Sequence, residues 1–202
     1  MKSTHKDIFP KVLLVLYIII FIALGIHPYS RFDWFMENLP TFVITLILVF
    51  TYKKFRFSNF TYFMMFIGIV WHTIGGHYTY ERVPFDFIND LFGFARNNYD
   101  RFGHFIAGFF ALPFAEYVYK KGYVESFKIA FLYGLFAIGF VAASYEIFEM
   151  LFALSFGGED AANFLGSQGD IWDAQWDMLM DILGAIFSLS LYNRIVIKKK
   201  KK

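Results

Sequence analysis

Long apolar stretches, separated by shorter polar connections, occupy most of this 202-residue chain. A helix that crosses the hydrocarbon core of a bilayer needs about 20 mostly apolar residues, whereas a β-barrel shows alternating segments of about ten residues. The pattern therefore predicts an all-α, polytopic bundle of transmembrane helices, in a single integral membrane domain over residues 1–202. About six spans are predicted, at residues 10–26, 37–54, 59–75, 102–119, 127–156 and 172–195.

The first apolar stretch has a second interpretation. Lys2, Lys6 and Lys11 precede it and Ala23-Leu24-Gly25 ends it, a pattern that also resembles a secretory signal peptide with its cleavage site. We favour a retained helix, because His27-Pro28 lies just beyond that site and the remaining spans need a neighbour within the membrane.

Basic residues occur in alternate connections between the apolar stretches. They are Lys2, Lys6 and Lys11; Lys53, Lys54 and Arg56; Lys120, Lys121 and Lys128; and Arg194 with the lysine run 198–202. Because cytoplasmic loops carry the excess of Lys and Arg, these four segments predict that both termini lie in the cytoplasm. The last of the opposite connections contains Glu159, Asp160 and Asp170 and no basic residue, which agrees with an extracytoplasmic position.

The connection over residues 77–99 is long enough for a helix of its own. Pro84 favours a helix start, and the apolar side chains that follow share one face. These are Phe85, Ile88, Leu91 and Phe92. We expect this helix to lie flat in the membrane interface, and a re-entrant lid over a site is the alternative.

Composition supports the membrane assignment. The chain is 57% hydrophobic and 23% aromatic, whereas soluble domains are about 45–50% apolar. The absence of cysteine excludes disulfides, thiolate metal sites and cysteine nucleophiles. The basic residues flank apolar segments, so we expect a lipid bilayer as partner and no nucleic acid.

Ionisable residues within or beside the apolar segments are the unusual feature, because each costs about 2.5–3.5 kcal/mol at the bilayer centre. They are His72, Asp100, Arg101, His104, Glu146, Glu149, Asp173, Asp177 and Asp181. The predicted orientation places them at a similar depth, in the extracytoplasmic halves of four helices. Glu116 lies near the cytoplasmic end of its helix, and we expect it to snorkel to the surface.

Spacing adds to this convergence. Asp100 and His104 are four residues apart, and Asp173, Asp177 and Asp181 repeat every four residues, so each set shares a helix face. Small residues nearby, Gly108 and Gly184, allow neighbouring helices to approach closely. Carboxylates and imidazoles together suit a divalent metal such as Zn, Mn or Fe.

Two other roles fit the same side chains. Buried carboxylates can bind protons, and polar groups inside a bundle can simply hold helices together. Asp181, which lies deepest on its helix, and Arg101, which could serve as a membrane anchor, are the members most readily explained by structure alone.

Five blocks of sequence resemble the YjdF-like family of bacterial inner-membrane proteins, a family without an assigned biochemical activity. The blocks are His77–Tyr80, Val83–Phe85, Tyr99–Phe105, Tyr145–Glu149 and Gly166–Met178. A weaker similarity is to VanZ-like membrane proteins, on an Asp-x-x-x-His helix start, a Glu-bearing helix and an Asp-rich helix ending in Leu183-Gly184-Ala185. The first resemblance implies a multi-pass protein of the bacterial inner membrane. The second family is linked to glycopeptide-antibiotic tolerance, which implies envelope biology without defining a reaction.

The leading hypothesis is a metal-assisted enzyme that acts on a lipid or envelope substrate at the extracytoplasmic side. The candidate metal ligands are His72, His104 and Asp177, and the candidate catalytic carboxylates are Glu146, Glu149 and Asp173. The candidate substrate-binding residues are His77, Tyr78, Tyr80, Asp170 and Arg101. The alternatives are a proton-coupled transporter or channel, which needs a polar path to the cytoplasm, and a structural or regulatory membrane subunit.

Overall fold

The computed structural model of the chain describes residues 4–157 and 167–198, and these residues form helices and no strands. The α-helices are α1 Thr4–Leu24, α2 Arg31–Thr51, α3 Asn59–Tyr78, α4 Asp86–Phe92, α5 Tyr99–Ala107, α6 Ala111–Lys120, α7 Phe127–Phe156 and α8 Asp173–Tyr192. The predicted all-α class is confirmed. Glu159, Asp160 and the last lysines of the C-terminal run lie outside the described residues.

Serine side chains mark the start of three of the long helices. The hydroxyl groups of Ser30, Ser58 and Ser126 precede α2, α3 and α7, and each accepts a hydrogen bond from the backbone N–H three residues later, at 3.2–3.4 Å. A helix leaves its first N–H groups without internal partners, so each serine stabilises the start of a helix.

Three helices among the described residues are long and apolar enough to cross a membrane. They are Arg31–Thr51, Phe127–Ser155 and Asp173–Ile197, the last of which continues α8 through a π-helical turn, Asn193–Ile197. Large apolar side chains on two of them point outward, including Phe50, Phe136 and Phe140, each more than 70% exposed. Hydrocarbon outside the protein accounts for this exposure. The count of six spans and their orientation stay predictions.

The predicted span at 102–119 is interrupted. Helix α5 begins earlier, at Tyr99, and a 3₁₀ turn over Gly108–Phe110 separates it from α6. Pro113 has no N–H to donate to the carbonyl of Phe109, four residues before it, which favours a tightened turn at that point.

Helices α5 and α8 cross almost backbone to backbone. A Cβ atom on Gly184 would lie 1.8 Å from the carbonyl oxygen of Phe105, and one on Gly108 would lie 2.2 Å from that of Asp181. Only glycine permits this approach, as expected for the small residues in these segments. The crossing sets the separation of the polar side chains on the two helices.

The short helix α4 exposes only part of its predicted apolar face. Phe85, just before it, packs against the rings of Trp71 and Tyr99, with centroids 6.0 and 5.4 Å away. Leu91 and Phe92, by contrast, are 65% and 61% exposed. The outward side chains suit a helix that lies at the interface, and its placement relative to a bilayer stays a prediction.

The expectation that Glu116 snorkels to the surface is wrong, because its side chain is buried, with a relative exposure of 1%. Its carboxylate accepts a hydrogen bond from the backbone N–H of Ser58 at 2.6 Å, at the start of α3, and another from Thr61. Lys120 forms an ion pair with it. The N-terminus of a helix and a lysine together supply the partners that a buried carboxylate needs.

Candidate functional site

Histidine and aspartate side chains meet where α5 crosses α8. The Nδ1 atom of His104 lies 2.9 Å from Oδ2 of Asp181, and its Nε2 atom lies 3.8 Å from Oδ1 of Asp100. One ligand atom each from Asp100, His104 and Asp177 lie within 4.8 Å of one another. The four-residue spacings place these side chains on facing sides of the two helices, and the glycine crossing brings those sides together.

This arrangement has the form of a metal site with an outer partner. With the proton on Nδ1, His104 donates to Asp181 and presents its Nε2 lone pair towards Asp100. Histidines that ligate metals commonly donate their other N–H to a carboxylate in this way. The Oδ1 atom of Asp177 is buried and accepts no hydrogen bond from the described residues. Two carboxylates and one imidazole fit Zn, Mn or Fe.

Two arginines lie beside Asp170, just before α8, and beside the first aspartates of α8. Arg96 lies 2.5 Å from Asp173, and Arg101 lies 2.6 Å from Asp170 and 3.1 Å from Asp173. The Arg101 guanidinium also reaches Asp177, at 3.7 Å. The hydrogen bond from Arg101 stabilises the ionised carboxylate of Asp170 and lowers its pKa below the ordinary value. Arg101 is thus part of an ion-pair network, and Asp173 is held by two cations.

His72 has hydrogen bonds at both ring nitrogens. Its Nε2 atom lies 2.7 Å from the carbonyl oxygen of Glu37, and its Nδ1 atom bonds to the hydroxyl of Tyr80. A carbonyl oxygen can only accept, so Nε2 donates and Nδ1 accepts from Tyr80. Burial raises the pKa of Tyr80 well above its ordinary value, which keeps that proton on the hydroxyl group. The candidate metal ligand His72 would have to lose Tyr80 to bind a metal through Nδ1.

A left-handed turn places Tyr80 next to His72. Thr79 and Tyr80 have φ values of 60° and 46°, unusual for residues other than glycine. The turn folds the Tyr80 ring back over α3, where a Cβ atom on Gly75 would lie 2.6 Å from it. Gly75 therefore makes room for the ring at this position.

His77 and Tyr78, two of the candidate substrate-binding residues, lie beside the end of α1. The Nδ1 atom of His77 is 2.6 Å from the carbonyl oxygen of Leu24, and the His77 carbonyl accepts from the N–H of Tyr29 at 2.9 Å. The Tyr78 ring packs edge-on against His77, with centroids 4.6 Å apart. These contacts attach α3 to α1, whereas Tyr80 faces the polar cluster.

A cavity of about 870 Å³ connects much of this chemistry. It lies between α2, α3, α5, α6 and α7. Its polar lining includes Glu37, His72, Asp100, His104, Glu149 and Asp181. His72, His104 and Glu149, predicted from separate helices, thus face one space, as the common depth predicts.

Glu146, Asp173 and Asp177 belong to the surroundings of the cavity, and its described lining does not include them. Glu146 is close enough to His104 and Asp100 to interact with both electrostatically, and its Oε1 atom is buried without a hydrogen-bond partner among the described residues. Asp177 lies next to the cavity, because its carboxylate is within 4.8 Å of ligand atoms of Asp100 and His104, which line it.

The start of α2 contributes site residues that are not among the predicted ones. Asp33 and Glu37 are buried there, and Glu37 lines the cavity. The available signal is the spacing of Asp33, Glu37 and Thr41, four residues apart, which repeats the pattern of the α8 aspartates. The predicted span begins at residue 37, whereas α2 begins at Arg31, so Asp33 lies outside that span and Glu37 at its first position. Arg96 likewise lies in the connection before α5, away from the predicted spans.

Comparison with known proteins assigns the chain to a family. The family model described as "Predicted membrane protein (DUF2238)" matches residues 9–198. The chain belongs to this family. It is 35% identical over 171 residues to Inner membrane protein YjdF of Escherichia coli (strain K12), which covers 83% of this chain and 81% of that protein. No solved structure matches it significantly.

The family assignment confirms the YjdF-like resemblance and the predicted location in the inner membrane. This is an uncharacterised family of membrane proteins, so membership supplies no reaction, metal or transported substrate. The VanZ-like similarity is not shown by these comparisons. The evidence for the candidate site is therefore the geometry of its side chains.

Proposed function

We propose that this membrane protein is a metal-assisted enzyme that acts on a lipid or envelope substrate at the extracytoplasmic side. The observation that supports it is the group formed by Asp100, His104 and Asp177, with Asp181 behind the histidine. Buried acidic groups inside a membrane bundle are costly. A divalent cation bound between two of them would offset that cost.

Asp100, His104 and Asp177 would hold the metal, in place of the set that includes His72. A bound divalent ion polarises a carbonyl or phosphoryl oxygen, or lowers the pKa of a water. Hydrogen bonds to Glu37 and Tyr80 hold His72, which forms part of the cavity wall near the metal ligands. Asp181 keeps the His104 ring in the orientation and tautomer that ligation requires.

Glu149 and Glu146 are the proposed acid and base groups, since both lie beside the ligands and neither has an ion pair among the described residues. The two arginines offer a place for an anionic substrate group, because guanidinium groups bind phosphate and carboxylate oxygens in pairs. Asp170, which is only half-buried, would give way to such a group at Arg101. Asp173 would hold both arginines in position.

The transporter alternative needs a polar path to the cytoplasm. The cavity does extend to Lys54 and Lys121 at its other end, but its middle is lined by apolar side chains such as Leu48, Phe114 and Val141. Protons and ions need polar groups or water along their way, so we prefer the enzyme.

The test is metal content and thermal stability measured on the same purified sample. The wild-type protein should bind about one equivalent of Zn, Mn or Fe, and Asp177→Asn should reduce the bound metal at least tenfold while the helices stay folded. Asp90→Asn, which changes an exposed aspartate on α4, is the matched control and should bind as the wild type does. No binding of any of the three metals to the wild type would refute the proposal.

A further inference from the structure

We infer that the cavity binds the long hydrocarbon tail of an amphiphilic lipid, whose head group lies against the carboxylate and histidine side chains at the polar end. This inference names the substrate class of the proposed function and rests on it for the chemistry at the head group. Binding of the tail itself depends only on the shape and polarity of the cavity.

The first support is the length of the cavity. Along α2 the lining extends from Glu37 to Thr51, positions that are fourteen residues apart and therefore separated by about 21 Å at 1.5 Å per residue. The hydrocarbon core of a bilayer is about 30 Å thick, so one leaflet contributes about 15 Å. A tail that fills the cavity would thus reach beyond the middle of the membrane.

The second support is the distribution of polar groups. The ionisable residues Glu37, Asp100 and His104 gather at one end, the middle of the cavity is lined mainly by apolar side chains, and Lys54 and Lys121 lie at the other end. The apolar lining includes Ile44, Ile47, Leu48, Ile69, Phe114 and Val141. An amphiphile has a polar head and a long apolar tail, which match the acidic end and the apolar middle of the cavity.

The third support is access from the bilayer. Helix α2 packs mainly on α3, and α7 packs on α6 and α8, so the cavity lies between these two groups of helices. The outer surfaces of α2 and α7 carry the exposed side chains Phe50 and Phe140. A lipid tail could therefore enter from the side without leaving hydrocarbon.

The experiment uses photoreactive lipids and the full-length protein. The wild type is reconstituted in phosphatidylethanolamine and phosphatidylglycerol vesicles that contain either a phosphatidylethanolamine or a polyprenyl phosphate with a diazirine near the end of the tail. After irradiation, the labelled residues are identified by peptide mass spectrometry. At least one of the two lipids should label the α5 and α3 residues that line the cavity, among them Ala107 and Ile69.

A matched pair of substitutions on α2 separates the cavity from bulk lipid. Ile47 lines the cavity, whereas Val43, one turn earlier and similarly exposed, is absent from its described lining. Ile47→Trp should reduce labelling of the cavity residues at least fivefold, and Val43→Trp should leave it unchanged. Equal labelling in both variants, labels only on outward-facing residues, or a stoichiometric polypeptide bound in the cavity would overturn the inference.

A second measurement distinguishes this inference from the proposed function. Labelling of the cavity is repeated with Asp177→Asn and after treatment with a chelator. The tail makes apolar contacts, so the label should persist in both. Label without bound metal would refute the metal-assisted enzyme and keep the lipid site, and bound metal without label would do the reverse.

Discussion

Glu149 carries the carboxylate on α7 that faces the cavity with His72 and His104. Glu149→Gln preserves the volume and removes the charge. Because a neutral side chain is easier to place in a membrane than a carboxylate, the free energy of unfolding should change by less than about 1 kcal/mol or increase. Metal content should be unchanged, since the proposed ligands are Asp100, His104 and Asp177.

Thermal unfolding in detergent and metal analysis of the same sample check this prediction. If Glu149 instead holds the bundle together through a buried charge pair, its loss should cost about 3–5 kcal/mol. A large destabilisation would therefore assign Glu149 to the structure of the bundle. A loss of metal with an intact bundle would add it to the ligands.

Glu116 represents the opposite case, a buried carboxylate with a complete set of partners. Glu116→Ala should leave the N–H of Ser58 and the side chain of Lys120 without their acceptor. We expect a loss of about 3–5 kcal/mol, because one side of a buried charge pair is removed. The control is Glu125→Ala, at an exposed position before α7, which should change stability by less than about 0.5 kcal/mol. Similar unfolding temperatures for the two variants would contradict the role of Glu116.

At the scale of the elements, the crossing of α5 and α8 decides the geometry of the candidate site. His104 belongs to one helix, and Asp177 and Asp181 belong to the other. The two helices approach through Gly108 and Gly184. A change in the separation of the two helices would alter the distances between His104 and these carboxylates.

Gly184→Ala tests this dependence. The new Cβ atom would lie 1.8 Å from the carbonyl of Phe105, so the helices must separate. Overpacking of this kind costs about 1–3 kcal/mol or more, and we expect metal binding to weaken as well. The measurements are thermal stability and metal content.

Gly139→Ala is the control for the same chemical change. Nothing lies within 4 Å of a Cβ atom there, and Gly139 is inside α7. Alanine favours a helix over glycine by about 0.5–1 kcal/mol, so this variant should be as stable as the wild type or more stable. If Gly184→Ala behaved in the same way, the crossing would not control the site.

At the scale of the whole molecule, the orientation of the bundle decides which side of the membrane the site faces. The charge pattern predicts that a reporter fused after Lys202 is cytoplasmic and that one inserted near Glu159, outside the described residues, is extracytoplasmic. Alkaline phosphatase is active only outside the cytoplasm and green fluorescent protein is fluorescent inside it. The reverse result at Glu159 would place the cluster at the cytoplasmic end.

The sequence by itself determined the class, the membrane location and most of the helices. Runs of apolar residues have the length of a membrane span, and serines precede three of the helices that the structure shows. The four-residue spacings also determined which side chains share a face, such as Asp100 with His104. These properties are local, since they follow from helical periodicity and from the solvent around the chain.

Only the tertiary structure decided which polar groups are partners. Asp181, the aspartate that the sequence explains most readily by structure alone, bonds to His104. Asp173, a candidate catalytic group, instead forms ion pairs with Arg96 and Arg101. His72 bonds to the backbone of Glu37 in the first turns of α2, where the predicted span only begins. Periodicity assigns a residue to a face of its own helix. The rotation of each helix and the closeness of each crossing depend on packing between distant segments, such as Gly184 against Phe105. This packing determines which polar side chains become partners.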